Sequence, residues 1–79
     1  MWKPLSYLSN IKQGMEIFLS QDATSGTIYK VSDIAGNKML LRPLVQVTHG
    51  QEFSLPSSNF DMLNFELDKN LLPYLYRKN

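Results

Sequence analysis

The segment from residue 26 to residue 44 constrains the fold of this chain more than any other part of the sequence. It contains two runs of β-branched, aromatic and other apolar residues, which favour β-strands. Between the runs stands Ala35-Gly36-Asn37, and Gly and Asn most easily take the positive φ of a tight reversal. The segment therefore predicts a β-hairpin, around which the other apolar segments are arranged.

The first arm of this hairpin has an irregular spacing. Gly26, Ile28 and Val31 are separated by steps of two and three residues, whereas side chains on one face of a regular strand recur every two residues. The three-residue step indicates a bulge or sharp bend after Ile28. Because such bends let small sheets curl, the pattern favours a barrel over a flat, solvent-backed hairpin of an α+β domain.

The length of the chain predicts one small domain. A chain of 79 residues buries only about 60–65% of the surface that it exposes when unfolded, so its core is thin. The sequence has no cysteine, which excludes disulfides, thiolate metal sites and a cysteine nucleophile. Packing and self-association are left as sources of stability.

Charge and hydropathy give no sign of a membrane partner. Eight basic and seven acidic residues leave a net charge of +1, so electrostatics demands neither nucleic acid nor an anionic membrane. No apolar run approaches the roughly 20 residues of a membrane span, and residues 1–7 lack the apolar core of a secretion signal. We expect a cytoplasmic protein.

The N-terminal third predicts a short helix followed by a strand. Apolar residues recur at steps of three between Leu5 and Ile11, which is typical of a helix of about two turns over residues 1–13. Residues 15–20 alternate as a strand, with Phe18 on its polar face. Phe18 is therefore either covered by the N-terminal helix or exposed for a partner, and cover is favoured.

Two further strands are predicted after the hairpin. A turn at residues 48–51 leads into a short strand whose Phe53 and Leu55 are expected to face inward. Residues 62–67 alternate again and are the expected closing strand. The sequence thus predicts five strands in all.

The C-terminal tail, residues 68–79, is unusually apolar for a chain end. Pro73 interrupts any continuous helix there, because it restricts the residue before it to extended geometry. Leu71, Leu72 and Leu75 stand beside Tyr74 and Tyr76. The tail is expected either to pack back on its own domain or to dock onto another chain, and the sequence leaves both open.

The segment Leu55-Pro-Ser-Ser-Asn-Phe60 predicts a single 3₁₀ turn that places Phe60 in the core. This segment resembles the proline–serine–asparagine–aromatic stretch that precedes the final strand of eukaryotic SH3 domains, with one Ser extra. The aromatic opening, the acidic loop and the groove tryptophan of that family have no counterparts in the expected places. The resemblance therefore implies the fold and not the binding of proline-rich peptides.

Two nucleic-acid-binding families are similar to other parts of the hairpin. Gly26-x-Ile28-x-x-Val31 resembles the second half of a KOW motif. Gly26…Asp33…Asn37-x-Met39-Leu-Leu41 is similar to the first signature of Sm-like RNA-binding proteins, with one extra residue before Asp33. Both resemblances imply a small β-barrel, and fold alone does not fix function.

The expected fold is therefore all-β: a small five-stranded SH3-like barrel with a short N-terminal helix and a C-terminal apolar tail. The whole chain is expected to be one domain, with the helix over residues 1–13, the barrel over 15–67 and the tail over 68–79.

Enzymatic chemistry and bound cofactors are not expected. His49 is the one histidine, and no second imidazole or carboxylate cluster at ligand spacing accompanies it, so neither a metal site nor a Ser–His–acid triad is predicted. Glu66 and Asp68 stand two residues apart near a strand end, where solvated edge charges are favoured over an acid/base pair.

The leading functional hypothesis is a non-enzymatic module that binds a protein partner or itself, as small regulators and accessory subunits do. Interface hot spots are enriched in Tyr and Arg, which selects the aromatic tail and two aromatics that could be exposed. The candidate residues are Phe18, Tyr29, Tyr74, Leu75, Tyr76 and Arg77.

The alternative hypothesis is binding of RNA or single-stranded DNA. Lys30, Lys38 and Arg42 all fall on the central hairpin, and with Tyr29 beside them they would combine stacking with phosphate contacts. The same charges could simply protect an exposed hairpin from edge pairing.

Overall fold

A computed structural model describes residues 2–56 and 61–78 of the chain. Most of these residues lie in strands, which confirms the all-β class. The strands in the described ranges are β1 (Trp2–Pro4), β2 (Glu16–Ser20), β3 (Gly26–Ala35), β4 (Lys38–Thr48), β5 (Gln51–Ser54), β6 (Leu63–Glu66) and β7 (Leu75–Lys78). The predicted 3₁₀ turn over residues 55–60, with Phe60 in the core, falls largely outside the described residues.

The prediction of an N-terminal helix is wrong. Trp2–Pro4 forms β1, and only Leu8–Asn10 takes a helical form, as one 3₁₀ turn. A helix of two turns is too short to be stable alone, whereas β1 gains a hydrogen-bonded ladder along β7. Leu5 and Ile11 are nevertheless buried, so the spacing identified the apolar positions and misassigned their backbone.

The sheet is a curled half-barrel, and the prediction of a closed five-stranded barrel is wrong. The strand order is β1-β7-β2-β3-β4-β5, and β6 pairs with the other half of β4. Because the eleven residues of β4 are long enough to pair with β5 and β6 in turn, the strand predicted to close the barrel stays at the β4 edge. No pairing within the described ranges joins that edge to β1.

The tail packs against its own domain. Lys69–Tyr74 forms a 3₁₀ helix. Asp68 caps its N-terminus, because the Asp68 carboxylate accepts a hydrogen bond from the backbone N–H of Asn70 (2.9 Å). The chain then enters β7, which lies between β1 and β2. Of the two alternatives that the sequence left open for the tail, the structure has the first.

The central hairpin is confirmed. β3 and β4 flank Gly36-Asn37, and Gly36 has a φ of +62°. The predicted bend is also present, because the register of β3 and β4 shifts between Ile28 and Tyr29, and again between Val31 and Asp33. These irregularities let the two long strands bend and twist.

Apolar side chains pack on both faces of the sheet. We call the face with the larger cluster the inner face; it carries Ile17, Tyr29, Val31, Met39, Leu41 and Leu75, over which Leu5 and Ile11 pack. The outer face carries a smaller cluster of Phe18, Ile28 and Val47, bordered by Trp2, Val45 and Tyr76. Two-sided packing explains how a sheet without a layer of α-helices buries enough apolar surface to fold.

No helix among the described residues is long and apolar enough to cross a membrane.

Candidate functional site

The structure buries several residues that the sequence suggested as contact residues. Phe18, Tyr29 and Leu75 are at most 7% exposed, and Tyr29 packs edge-on against Phe65 with ring centroids 5.9 Å apart. The expectation that Phe18 and Tyr29 are exposed for a partner is therefore wrong. The favoured alternative for Phe18 was cover, and the cover is provided by other aromatic rings rather than by a helix.

Trp2 and Tyr76 are the rings that cover Phe18. Their centroids lie 5.4 and 6.1 Å from that of Phe18, both tilted. Register explains the contact, because Tyr76 pairs directly with Phe18 across β7 and β2. Tyr76 is thus half-buried because it packs on Phe18. Arg77, on the opposite face of the same strand, is exposed.

The inner face presents an incompletely covered row at its β5 side. The cross-strand pairs Leu19↔Thr27, Thr27↔Gln46 and Gln46↔Phe53 place these four residues side by side on one face. The Thr27 hydroxyl and the Gln46 side-chain oxygen are 3.1 Å apart, in hydrogen-bonding contact. Phe53 stands at the end of the row and is 54% exposed. It therefore lies on the inner face, but it is not buried in the core as the sequence predicted.

Tyr74 extends this row at its other end. It is 42% exposed and lines an open cleft together with Leu19, Ser20 and Gly26. We define the inner band as Leu19, Thr27, Gln46 and Phe53 together with Tyr74. The sequence proposed Tyr74 but could not connect it with Phe53, because strand pairing brings Phe53 into one row with Leu19 and the cleft brings Tyr74 to Leu19.

A polar loop forms the rim of the Tyr74 cleft. The Asp22 carboxylate accepts hydrogen bonds from the backbone N–H groups of Thr24 (2.9 Å) and Ser25 (3.0 Å). These two backbone bonds are the main reason why the pKa of Asp22 falls from 3.8 to about 2. The buried Ser20 hydroxyl accepts from the N–H of Ala23 (2.9 Å), which supports the positive φ of Ala23.

This loop is fastened to the turn between β4 and β5. The backbone N–H of His49 donates to the Ser25 hydroxyl (2.9 Å), and that of Gly50 donates to the Thr24 carbonyl (2.9 Å). His49 itself is exposed in this turn. Hydrogen bonds within the loop and hydrogen bonds from the β4–β5 turn therefore both hold the rim of the cleft in place.

The outer face carries a row of charged residues. Glu16 pairs with Lys30, and Lys30 pairs with Arg42, across three adjacent strands. Lys78 adjoins the row from β7, with its Nζ 3.8 Å from a carboxylate oxygen of Glu16. We call Lys78, Glu16, Lys30 and Arg42 the outer charged row; three of its members are basic and one is acidic.

Lys38 and Tyr29 do not belong to this row. Lys38 lies near the hairpin tip, opposite Glu66 of β6, and Tyr29 points to the inner face. Lys30 and Arg42 are thus the pair of the predicted nucleic-acid residues that the fold brings together. No sequence pattern indicated Glu16 and Lys78, which join this pair only through the register of β2, β3 and β7.

The described residues contain no group of three or more His, Asp or Glu side chains placed to hold a metal ion.

No protein-family model, curated protein or solved structure matches this chain. The resemblances to SH3-like and Sm-like proteins stay predictions, and function has to be argued from the inner band and the outer charged row.

Proposed function

We propose that this protein is a non-enzymatic binding module, a small regulator or accessory subunit, that contacts a partner protein through the inner band. The observation that carries the proposal is the exposure of Phe53 (54%) and Tyr74 (42%) at opposite ends of the inner band. Aromatic side chains with a polar handle or a flat face are the typical anchors of protein interfaces.

The free edge of β5 supports a specific kind of partner. Among residues 2–56 and 61–78, β5 is the last strand on its side of the sheet, and all four of its residues are exposed. An extended segment of another protein would add to this edge by backbone hydrogen bonds, with its inner-face side chains beside Phe53, while the rest of the partner covers the band as far as Tyr74. Thr27 and Gln46 supply polar groups in the middle of the band.

The proposal also keeps the relation to SH3-like and Sm-like folds that the sequence suggested. The bend at Ile28/Tyr29 and the tight Gly36-Asn37 reversal support it. In this view the half-barrel is an open relative of those barrels, with its inner band available to a partner.

The test compares exposed aromatic residues with one another. Phe53→Ser and Tyr74→Ser should each abolish retention of the partner on an affinity column loaded with extract of the native cell. Tyr7→Ser is the matched control, because Tyr7 is 68% exposed and lies outside the inner band. It should retain the partner as the unmodified chain does.

Light scattering of the purified chain distinguishes a foreign partner from a second copy. We expect a monomer for the unmodified chain and for all three variants. Equal loss of the partner in Tyr7→Ser, or unchanged retention in both Phe53→Ser and Tyr74→Ser, would contradict the proposal.

A further inference from the structure

β1 and β5 stand at opposite ends of the strand order, and they differ in the residues that protect an exposed edge. β1 contains Lys3 and Pro4, and lysine and proline are typical of edges that do not pair with another chain. β5, Gln51–Ser54, contains neither, and it pairs with β4 in an unbroken register. Within the described ranges, β5 therefore offers a regular edge to a further strand.

The ladder between β4 and β5 determines which backbone groups this edge presents. The N–H of Leu55 donates to the carbonyl of Leu44 (2.9 Å). Hydrogen-bonded and non-hydrogen-bonded pairs alternate along an antiparallel ladder, so Phe53 also bonds to β4. Glu52 and Ser54 lie between the bonded pairs, and their N–H and C=O groups point away from β4 towards the free edge.

The side chains along this edge alternate in chemistry. Glu52 lies on the outer face, because it pairs with Val47 of the smaller cluster, and Phe53 lies on the inner face. Glu52 is exposed and takes part in no ion pair within the part of the chain that the structure describes. Since opposite charges stabilise a cross-strand pair, Glu52 favours a cation directly opposite it. The exposed ring of Phe53 favours an apolar neighbour.

We propose that the partner segment is an antiparallel strand in which basic and apolar residues alternate, with a basic residue opposite Glu52 and an apolar residue opposite Phe53. This inference rests on the proposed function and specifies the chemistry of its partner. The strand pairs among the described residues are all antiparallel, and antiparallel pairing is slightly more stable per residue than parallel pairing.

A short, fluorescently labelled peptide of alternating Lys and Val is the probe, and fluorescence anisotropy measures its binding to the full chain. It should bind roughly two- to tenfold more tightly than a peptide of alternating Glu and Val, the range expected when one exposed ion pair becomes a repulsion. Glu52→Gln should reduce this preference, and Glu52→Lys should reverse it.

Backbone methylation of the peptide tests the direction of the added strand. In an antiparallel hydrogen-bonded pair, the residue opposite Glu52 exchanges both backbone bonds with it, and its side chain shares the outer face. This residue is therefore a Lys of the peptide. N-methylation of the Lys residues should weaken binding by about tenfold or more, the effect of losing backbone hydrogen bonds. The same number of methyl groups on the Val residues should leave binding nearly unchanged.

Ser54→Pro tests the edge from the side of the protein. It removes an N–H that the β4 ladder does not use, and proline is tolerated at such positions of an edge strand. Peptide binding should weaken roughly tenfold. Ser54→Ala is the matched control, because it loses the hydroxyl and keeps the N–H, and it should bind as the unmodified chain does. Equal unfolding midpoints verify that both variants fold; if Ser54→Pro does not fold, the methylated peptides test the edge on the unmodified chain.

Three results would overturn the proposal: no saturable binding up to about 1 mM peptide, equal binding of the Lys–Val and Glu–Val peptides, or a greater loss from methylated Val than from methylated Lys. The test with the native partner is separate. If Phe53→Ser and Tyr74→Ser lose that partner while the peptides do not bind, the proposed function stands and the added strand is wrong.

Discussion

Gly26 shows how one residue limits the pairing of β2 and β3. It pairs with Ser20 at the loop end of the two strands. A Cβ atom at position 26 would overlap the backbone carbonyl oxygen of Leu19 and lie 3.0 Å from the Cβ of Ser20. A backbone oxygen cannot move aside without opening the ladder, so glycine is required there for close approach and not for a positive φ.

Gly26→Ala should lower the free energy of unfolding by at least about 3 kcal/mol, the upper range of overpacking costs. Urea denaturation followed by circular dichroism measures the change. Gly36→Ala is the control, because nothing lies within 4 Å of a Cβ built there and the cost is only the left-handed strain of about 1–2 kcal/mol. Equal effects of the two substitutions would show that close approach at position 26 is unimportant.

β7 is the element that ties the two ends of the chain together. It pairs with β1 on one side and with β2 on the other. Its residues alternate between the two cores, with Leu75 in the larger cluster and Tyr76 beside the smaller one. The backbone N–H of Leu5 also donates to the Leu75 carbonyl (2.9 Å). Internal packing therefore explains the apolar character of the tail, except at the exposed Tyr74.

Leu75→Ala should destabilise the fold by about 3 kcal/mol, because it leaves a cavity at a side chain that is 1% exposed. Arg77→Ala, two residues along the same strand and exposed, should change stability by no more than about 0.5 kcal/mol. The two urea midpoints are compared directly. If both variants kept the original midpoint, β7 would not be an integral strand of the sheet.

The whole molecule is organised by pairing between distant parts of the sequence. Trp2 pairs with Lys78, so the described ends of the chain lie side by side. Such non-local pairing folds slowly, because a long loop has to close before the contacts form. It also means that β1, β7 and β2 must assemble together.

Joining the two chain ends through a short glycine linker should raise the free energy of unfolding. The linker holds the ends together in the unfolded state too, so folding no longer loses the entropy of bringing them together. Loop closure over 79 residues sets the gain at no more than about 4 kcal/mol. The urea midpoint of the cyclic protein is compared with that of a linear chain carrying the same linker at one end. A cyclic protein less stable than this linear control would contradict the β1–β7 pairing.

Local patterns predicted much of the secondary structure. Alternation identified β2 and β6, and Gly36-Asn37 located the reversal between β3 and β4. The three-residue step after Ile28 predicted the register shift. These features depend on a few neighbouring residues, so the sequence alone was sufficient for them.

The partners of each strand were decided only by the tertiary structure. β1 looked helical because its extended form is stable only along β7, and β7 lies more than 70 residues away. The inner band and the outer charged row have the same origin, since register alone puts Phe53 in one row with Leu19, which lines the Tyr74 cleft, and puts Glu16 beside Lys78. Sequence determined which residues are apolar, where the chain turns and where it bends. Register across the sheet decided which side chains share a surface, because that choice depends on the sum of all strand pairings and not on any one segment.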